Sequence, residues 1–136
     1  MEDRYLFKAK RIDNEEWVQG YLVYDNRDKL YRIIMEIQYS TGTCITTDNA
    51  PRVDSSTICQ CTGLKDKNGK LIWENDIIKT RVGIAKVIWD KSEWRIEWLK
   101  NDLWRKDLYY WAVEDIQRTV VIGNIFDNKE LLESEE

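Results

Sequence analysis

"CTGLKDKNGKLIWENDIIKT", residues 61–80, packs two turn signals and two apolar runs into one short span. Asn68-Gly69 is a pair that tolerates positive φ, the requirement of a tight hairpin turn. Thr62 to Leu64 leads in and Leu71 to Trp73 leads out. The second punctuation, Glu74-Asn75-Asp76, puts Asn75 where a left-handed residue fits, and Asn accepts that conformation better than most non-glycine residues. Asp76 then ties down turn amides with its carboxylate, and "IIKT" resumes as a strand. The span reads as a double corner of a small β-barrel. It predicts positive φ at Gly69 and Asn75.

Period-two alternation, the strand signature, recurs on both sides of that span. In "YLFKA", Tyr5, Phe7 and Ala9 share one face. "WVQGYLVY" (17–24) runs through the turn "DNRD" (25–28) into "KLYRIIMEI", so residues 17–37 predict a β-hairpin. In its second arm Tyr31, Ile33, Met35 and Ile37 alternate with Arg32, Ile34 and Glu36. Residues 40–57 change character, with eight Ser or Thr and the only Pro. Such side chains compete with regular backbone pairing. The stretch therefore predicts a boundary between residues 1–50 and 51–136, with room for a short strand from Cys44 to Thr47. Further on, "GIAKVIW" (83–89) and "WRIEW" (94–98) flank "DKSE" as another hairpin. Trp94, Ile96 and Trp98 lie on one face of its second strand, Arg95 and Glu97 on the other. "RTVVIGNI" (118–125) predicts a last strand and "NIFDNKELLE" a short terminal helix that docks through Ile125, Leu131 and Leu132.

The 136 residues suit one domain or two very small halves, and no apolar run approaches the roughly 20 residues of a membrane span. "MEDRYLFKAK" has no signal-peptide core, so a cytoplasmic protein with no membrane association is predicted. The three cysteines, Cys44, Cys59 and Cys61, are expected as free thiols in that compartment. Seven Trp and seven Tyr stand against two Phe, a bias toward side chains with an apolar body and a polar tip. The net charge of −4 hides a gradient. Residues 1–50 carry seven basic and nine acidic side chains, residues 51–113 twelve and nine, and residues 114–136 two and seven.

Two blocks resemble a known family. Residues 53–78, "VDSSTICQCTGLKDKNGKLIWENDII", and 121–132, "VIGNIFDNKELL", are similar in order and spacing to the YopX-like family of phage and prophage proteins. The matching positions are Asp54, Thr57, Gln60, Thr62, Gly63, Leu64, Asp66, Gly69, Ile72, Glu74, Asp76 and Ile77 in the first block. In the second they are Ile122, Gly123, Asn124, Ile125, Glu130, Leu131 and Leu132. Ser55 and Lys129 stand where the family keeps Pro, Trp73 where it keeps Tyr, and Asn75 where it keeps Gly. Asn75 preserves the left-handed option. The resemblance implies a phage-encoded accessory protein whose C-terminal half is an SH3-like small barrel. It brings no assigned activity and no catalytic residues.

Several chemistries are disfavoured. Histidine is absent, which removes the usual general base near neutral pH and every Ser–His–Asp or Cys–His arrangement. Glu74 and Asp76 pair a possible acid–base function with a simpler one as a turn: Asp76 caps amides while Glu74 faces water. Cys59-x-Cys61 is spaced more closely than structural zinc ligands, and only Cys44 could add a thiolate, so buried free thiols and no metal are expected. The dispersed Gly63, Gly69 and Gly83 form no phosphate loop.

Residues 79–106 interleave eight Lys and Arg with Trp89, Trp94, Trp98 and Trp104. A small barrel can bind single strands by stacking bases on such aromatics along a positive groove, and Trp94, Arg95, Trp98, Lys100 and Arg105 are the candidate surface. Acids at 90, 93, 97 and 102 break up that footprint, and the same pattern is that of an ordinary half-buried strand. The acidic end, Glu133, Glu135 and Glu136, reads as a solvated terminus or, less simply, as a shield for the basic middle.

The sequence thus predicts a mainly β protein (α+β with little helix): an N-terminal β-rich part, a C-terminal barrel and a terminal helix. Thr62, Gly63, Leu64, Asp66, Asn68, Gly69, Glu74, Asn75, Asp76, Gly123 and Asn124 are its structural turn residues. The expected function is binding without catalysis and without a cofactor, to a host or phage protein or to another copy of the chain. Single-stranded nucleic-acid binding is the alternative, and an acid-based enzyme acting through Glu74 and Asp76 the third possibility.

Overall fold

The computed structural model describes residues 3–35, 50–100 and 104–133. The possible strand at Cys44–Thr47 and the acidic end beyond Glu133 lie outside them. The fold is mainly β with short helical segments, as predicted. The chain divides into two compact units, Met1–Gln60 and Cys61–Glu136.

In the first unit a 3-10 turn at Asp3–Tyr5 precedes strands β1 (Phe7–Lys10), β2 (Trp17–Asp25), β3 (Leu30–Ile34) and β4 (Arg52–Val53). Pairing is antiparallel throughout. The first half of β2 pairs with β1 and its second half with β3, so the long strand changes partner at Gly20. β3 continues onto β4 through Tyr31↔Val53 and Arg32↔Arg52. On its other edge β4 meets the chain leaving β1: Ile12 N donates to Arg52 O (3.0 Å), Asp54 N donates to Lys10 O (2.8 Å), and Arg11 bridges Val53. The sheet therefore closes around a small core of Ala9, Ile33 and Val53, flanked by Val18, Leu22, Tyr31 and Ile58. A 3-10 turn at Ser55–Thr57 follows, capped by Asp54. Thr57 Oγ1 accepts from Lys10 N at 2.8 Å. The first residues of β5 (Cys59–Lys65) then pair with β1.

These bonds move the boundary. The Ser/Thr-rich stretch predicts a division after residue 50, whereas β4, the capped turn and the start of β5 all bond back to β1 and β3. Residues up to Gln60 therefore belong to the first unit. Arg32, which alternates with Tyr31 and Ile33 in the sequence, is buried as well.

The second unit holds the rest of β5 and then β6 (Leu71–Trp73), β7 (Asp76–Lys79), β8 (Ile84–Asp90), β9 (Glu93–Trp98), β10 (Val120–Asn124) and helix α1 (Lys129–Leu132). Four of these strands form an antiparallel sheet in the order β10-β7-β8-β9. The core comprises Ile72, Ile78, Ala85, Val87, Ile96, Trp98, Leu108, Trp111, Ala112 and Val121. Three of them, Leu108, Trp111 and Ala112, come from a helical stretch with no counterpart in the strand reading: helical residues 108–109, a π-helical turn at Tyr110–Glu114 and a 3-10 turn at Ile116–Arg118. In α1, Leu131 is half-buried but Leu132 is exposed, so only part of the expected docking face is covered.

The turn chemistry of residues 61–80 is as predicted at two positions. Gly69 has φ +79° and Asn75 φ +70°. Asp76 Oδ2 accepts the Trp73 amide at 2.8 Å. Asn68 does not share the positive φ of Gly69. Gly69 N donates to Asp66 O and Asp66 N to Lys70 O, so this loop is longer than a two-residue turn. Gly63 (φ +81°) sits at an irregularity in β5, where Thr62 Oγ1 donates to Ile72 O and accepts from Leu64 N. The two-residue turn belongs instead to the β8–β9 hairpin. Asp90 pairs with Glu93, and Lys91 and Ser92 both take positive φ (52° and 62°).

Candidate functional site

The helical stretch and the chain before it build an aromatic surface of the second unit. Residues 104–107 run along the open edge of β9, held by Ile96 N to Lys106 O (2.7 Å) and an Arg95↔Asp107 bridge. Two buried indoles fix the same strap from inside. Trp98 Nε1 donates to Trp104 O (3.2 Å) and Trp111 Nε1 donates to Arg105 O (2.9 Å), which satisfies polar tips that burial would otherwise penalise. The two indoles meet edge to face at 5.4 Å.

With its backbone so anchored, the strap turns the Trp104 side chain outward. Trp104 is 55% exposed and Tyr109 59%. The Arg81 guanidinium lies 4.8 Å from the Trp104 ring and 5.6 Å from Trp111. Its orientation is set by Asp115, which accepts from Nε at 3.1 Å, and by the Tyr110 hydroxyl at 3.3 Å. Bonding to Tyr110, with Asp115 close by, lifts Arg81 above its already high pKa. Arg105 lies 4.5 Å over the Tyr110 ring and is clamped by both oxygens of Asp107. Trp104, Tyr110, Arg81 and Arg105 thus form one cluster of aromatic faces and ordered guanidinia, with the exposed Tyr109 next to Tyr110 in the chain. Such a cluster can stack flat groups and meet apolar or acidic surface.

The five candidate surface residues fall in different places. Trp98 is only 6% exposed and belongs to the core, so it offers no stacking face. That is a correction, and its cause is the helical stretch packed over β9. Trp94 is half-buried against the same core and meets the exposed Trp89 edge to face at 5.0 Å. Arg95 pairs with Glu93 at 3.4 Å, and Lys100 is exposed beyond β9. Of the five, only Arg105 enters the cluster. Period-two alternation favours Trp94 and Trp98 over Trp104, which follows a strand end. The i, i+3, i+4 spacing of Leu108, Trp111 and Ala112 is the signal that locates the helical stretch.

The motif positions gather around turns instead. Asp66 is buried. Its Oδ1 accepts from Asn68 N and Lys70 N, each at 2.9 Å, and its Oδ2 from Val121 N at 2.9 Å. Burial opposes its ionisation, but the three amides prevail and hold its pKa below the ordinary value. Asn124 Oδ1 accepts from Phe126 N and Asp127 N, and Asn124 N donates to the Asn128 side chain, which also fills the space beside Gly123. Asp76 is buried in its amide contact beside a half-buried Glu74. Cys59 and Cys61 are both buried outside any disulfide, and the Cys59 thiol donates to Thr57 O at 3.3 Å. Among the described residues, no helix is long and apolar enough to cross a membrane.

The family model described as "YopX protein" matches residues 6–133. The chain belongs to the YopX family. This YopX-family chain is also similar to a solved structure, protein EF1440 from Enterococcus faecalis, at 27% identity with a TM-score of 0.56. The match covers 93% of this chain and 96% of that one. No curated protein matches the chain significantly.

Proposed function

We propose that this YopX-family member is a non-enzymatic phage or prophage accessory protein that acts in the host cytoplasm by binding another protein. The Trp104–Arg81–Tyr110–Arg105 cluster, together with the exposed Tyr109, is the contact surface. The observation that carries the reading is the ordering of exposed aromatics by the core. Trp104 and Tyr109 are more than half exposed, yet the strap bearing Trp104 is pinned by the two buried indoles. Trp, Tyr and Arg dominate the energetic centres of protein interfaces, and a preordered set loses little freedom on binding. The partner is a host or phage protein or a second copy of the chain, and the C-terminal unit acts as a small SH3-like barrel.

The test compares the wild type with W104A/Y109A in sedimentation at several concentrations and in crosslinking inside cells carrying the phage genes. Self-association or a specific crosslinked partner that the double variant loses supports the reading. Identical behaviour of the two proteins overturns it.

Single-stranded nucleic acid is the second reading, favoured by the Arg81 guanidinium stacked beside the exposed Trp104. It requires saturable quenching of tryptophan fluorescence by short single strands, fading as salt rises. A flat response at low salt removes it.

A further inference from the structure

Three arginines and two aspartates meet at the end of the β2–β3 hairpin in the first unit. Among the described residues, Asp25, Arg27, Asp28, Arg32 and Arg52 line a cleft of about 310 Å³. Two members form a buried base, with side-chain exposures of 7% for Arg32 and 5% for Asp25. Every branch of the Arg32 guanidinium is engaged: Nε with Asp25 (3.0 Å), one terminal nitrogen with Ala50 O (2.7 Å) and the other with Asp28 (2.8 Å). The other two arginines stand in solvent, Arg27 at 64% and Arg52 at 55% exposure. Arg27 is clamped to both oxygens of Asp25, and Arg52 is held through Nε to Asp28 at 2.9 Å.

Two features are unusual for a merely structural network. Arg32 and Arg52 are direct cross-strand partners, a like-charge placement that sheets avoid. Asp28 mediates between them with a single oxygen, Oδ2, which both arginines contact. Among the described residues, three arginines here share two carboxylates. The second feature is order without stability. Exposed ion pairs contribute little to folding, and fixing long side chains costs entropy. Yet Arg27 and Arg52 are held on the cleft by carboxylates far less exposed than they are. Such bracing from beneath preorganises a guanidinium for planar recognition of an oxyanion.

We propose that Arg27 and Arg52 form a binding site for a phosphate group, with Asp25, Asp28 and Arg32 as positioning residues. The bound dianion meets the two exposed guanidinia that line the cleft. The site belongs to the first unit and the proposed contact surface to the second, and neither proposal depends on the other.

The test is a titration of the full chain with sodium phosphate at constant ionic strength, followed through the arginine Nε–H signals by NMR. The Arg27 and Arg52 signals are expected to shift saturably with phosphate, and sodium chloride alone to leave them in place. R27A/R52A should weaken binding by at least about tenfold, the loss of charge-assisted contacts. R27K/R52K keeps the charge and removes the planar fork, and it should weaken binding as well. A nucleoside 5′-monophosphate that binds more tightly than inorganic phosphate assigns the group to a nucleotide, and equal affinity assigns the site to the phosphate itself. Shifts no larger than those from chloride overturn the proposal. So does a folded R27A/R52A or R27K/R52K variant that binds phosphate as well as the wild type.

Discussion

Asp66 and Val121 are 55 positions apart in the chain, and the Asp66 carboxylate accepts the Val121 amide at 2.9 Å. The same carboxylate holds the Asn68 and Lys70 amides, so one buried side chain ties a loop to the strand β10. Removing it leaves three amides without acceptors, and a buried unsatisfied group costs about 1–3 kcal/mol. D66A should therefore destabilise the protein by about 3 kcal/mol or more. D66N should lose about 2 kcal/mol, because one face of the amide becomes a donor against a donor. Urea denaturation measures both, and a loss below about 1 kcal/mol for D66A would refute this role.

Acid should unfold the protein through the same kind of contact. Asp66 has a folded pKa below the ordinary value. Asp25 is pulled down to about 2, first by the Arg27 side chain and then by the Arg27 amide and Arg32. An aspartate lowered on folding stabilises the folded state above its unfolded pKa of about 3.9 and loses that contribution as pH falls through the folded value. Stability should thus fall below about pH 4. The chain has no histidine, so no side chain has its ordinary pKa between 5 and 8, and stability should be nearly flat there. D66N should make the acid limb shallower. A steep change between pH 5 and 7 would contradict the assignment.

The β8–β9 turn is built from residues poorly suited to it. Lys91 and Ser92 both adopt positive φ, which costs a non-glycine residue about 1–2 kcal/mol. Asn-Gly is the sequence that such a two-residue hairpin prefers. K91N/S92G should raise stability by about 1 kcal/mol, read as a higher midpoint in thermal or urea unfolding. No gain would mean that the unfolded chain benefits from the new glycine as much as the turn does.

The tryptophans divide in the same experiment. W98A opens a cavity beside Trp111 and should cost about 3–5 kcal/mol. W104A removes an exposed ring but keeps the carbonyl that Trp98 uses, so its cost should be about 1 kcal/mol or less, the value of its contact with Arg81. Equal losses would mean that Trp104 is part of the core.

These residues also show what the sequence makes legible. Turn chemistry is local, so Gly69 and Asn75 were readable from their neighbours, as were the strands of both hairpins. Asp66 was visible as a motif position, but its bond to Val121 is a long-range fact. The alternation around Arg32 carries no sign of Asp25 and Asp28 gathering around it. Trp98 reads as a surface candidate because alternation describes only its own strand. What covers that strand is a helical stretch whose 3.6-residue spacing falls among aromatics that suit strands equally well. The site was missed for the same reason: Trp104 has no periodic partner, and its exposure is decided by two indoles packed beneath its backbone.

Gly20 offers the sharpest test of the first unit. It lies where β2 passes from β1 to β3, pairing with Phe7 while its neighbour Tyr21 pairs with Ile34. A Cβ built there collides with the Ile34 carbonyl oxygen and crowds the Ile34 carbonyl carbon and Met35 Cα. All three are backbone atoms, so no side-chain rotation relieves the clash. The strand must move, and with it the register that sets Ile33 in the core and Arg32 against Asp25. G20A should therefore cost about 3 kcal/mol or more, the upper end of overpacking losses, although alanine is only one methyl larger. The loss should be accompanied by faster amide exchange in β2 and β3. A G20A protein as stable as the wild type would show that the two strands do not approach as closely as their pairing requires.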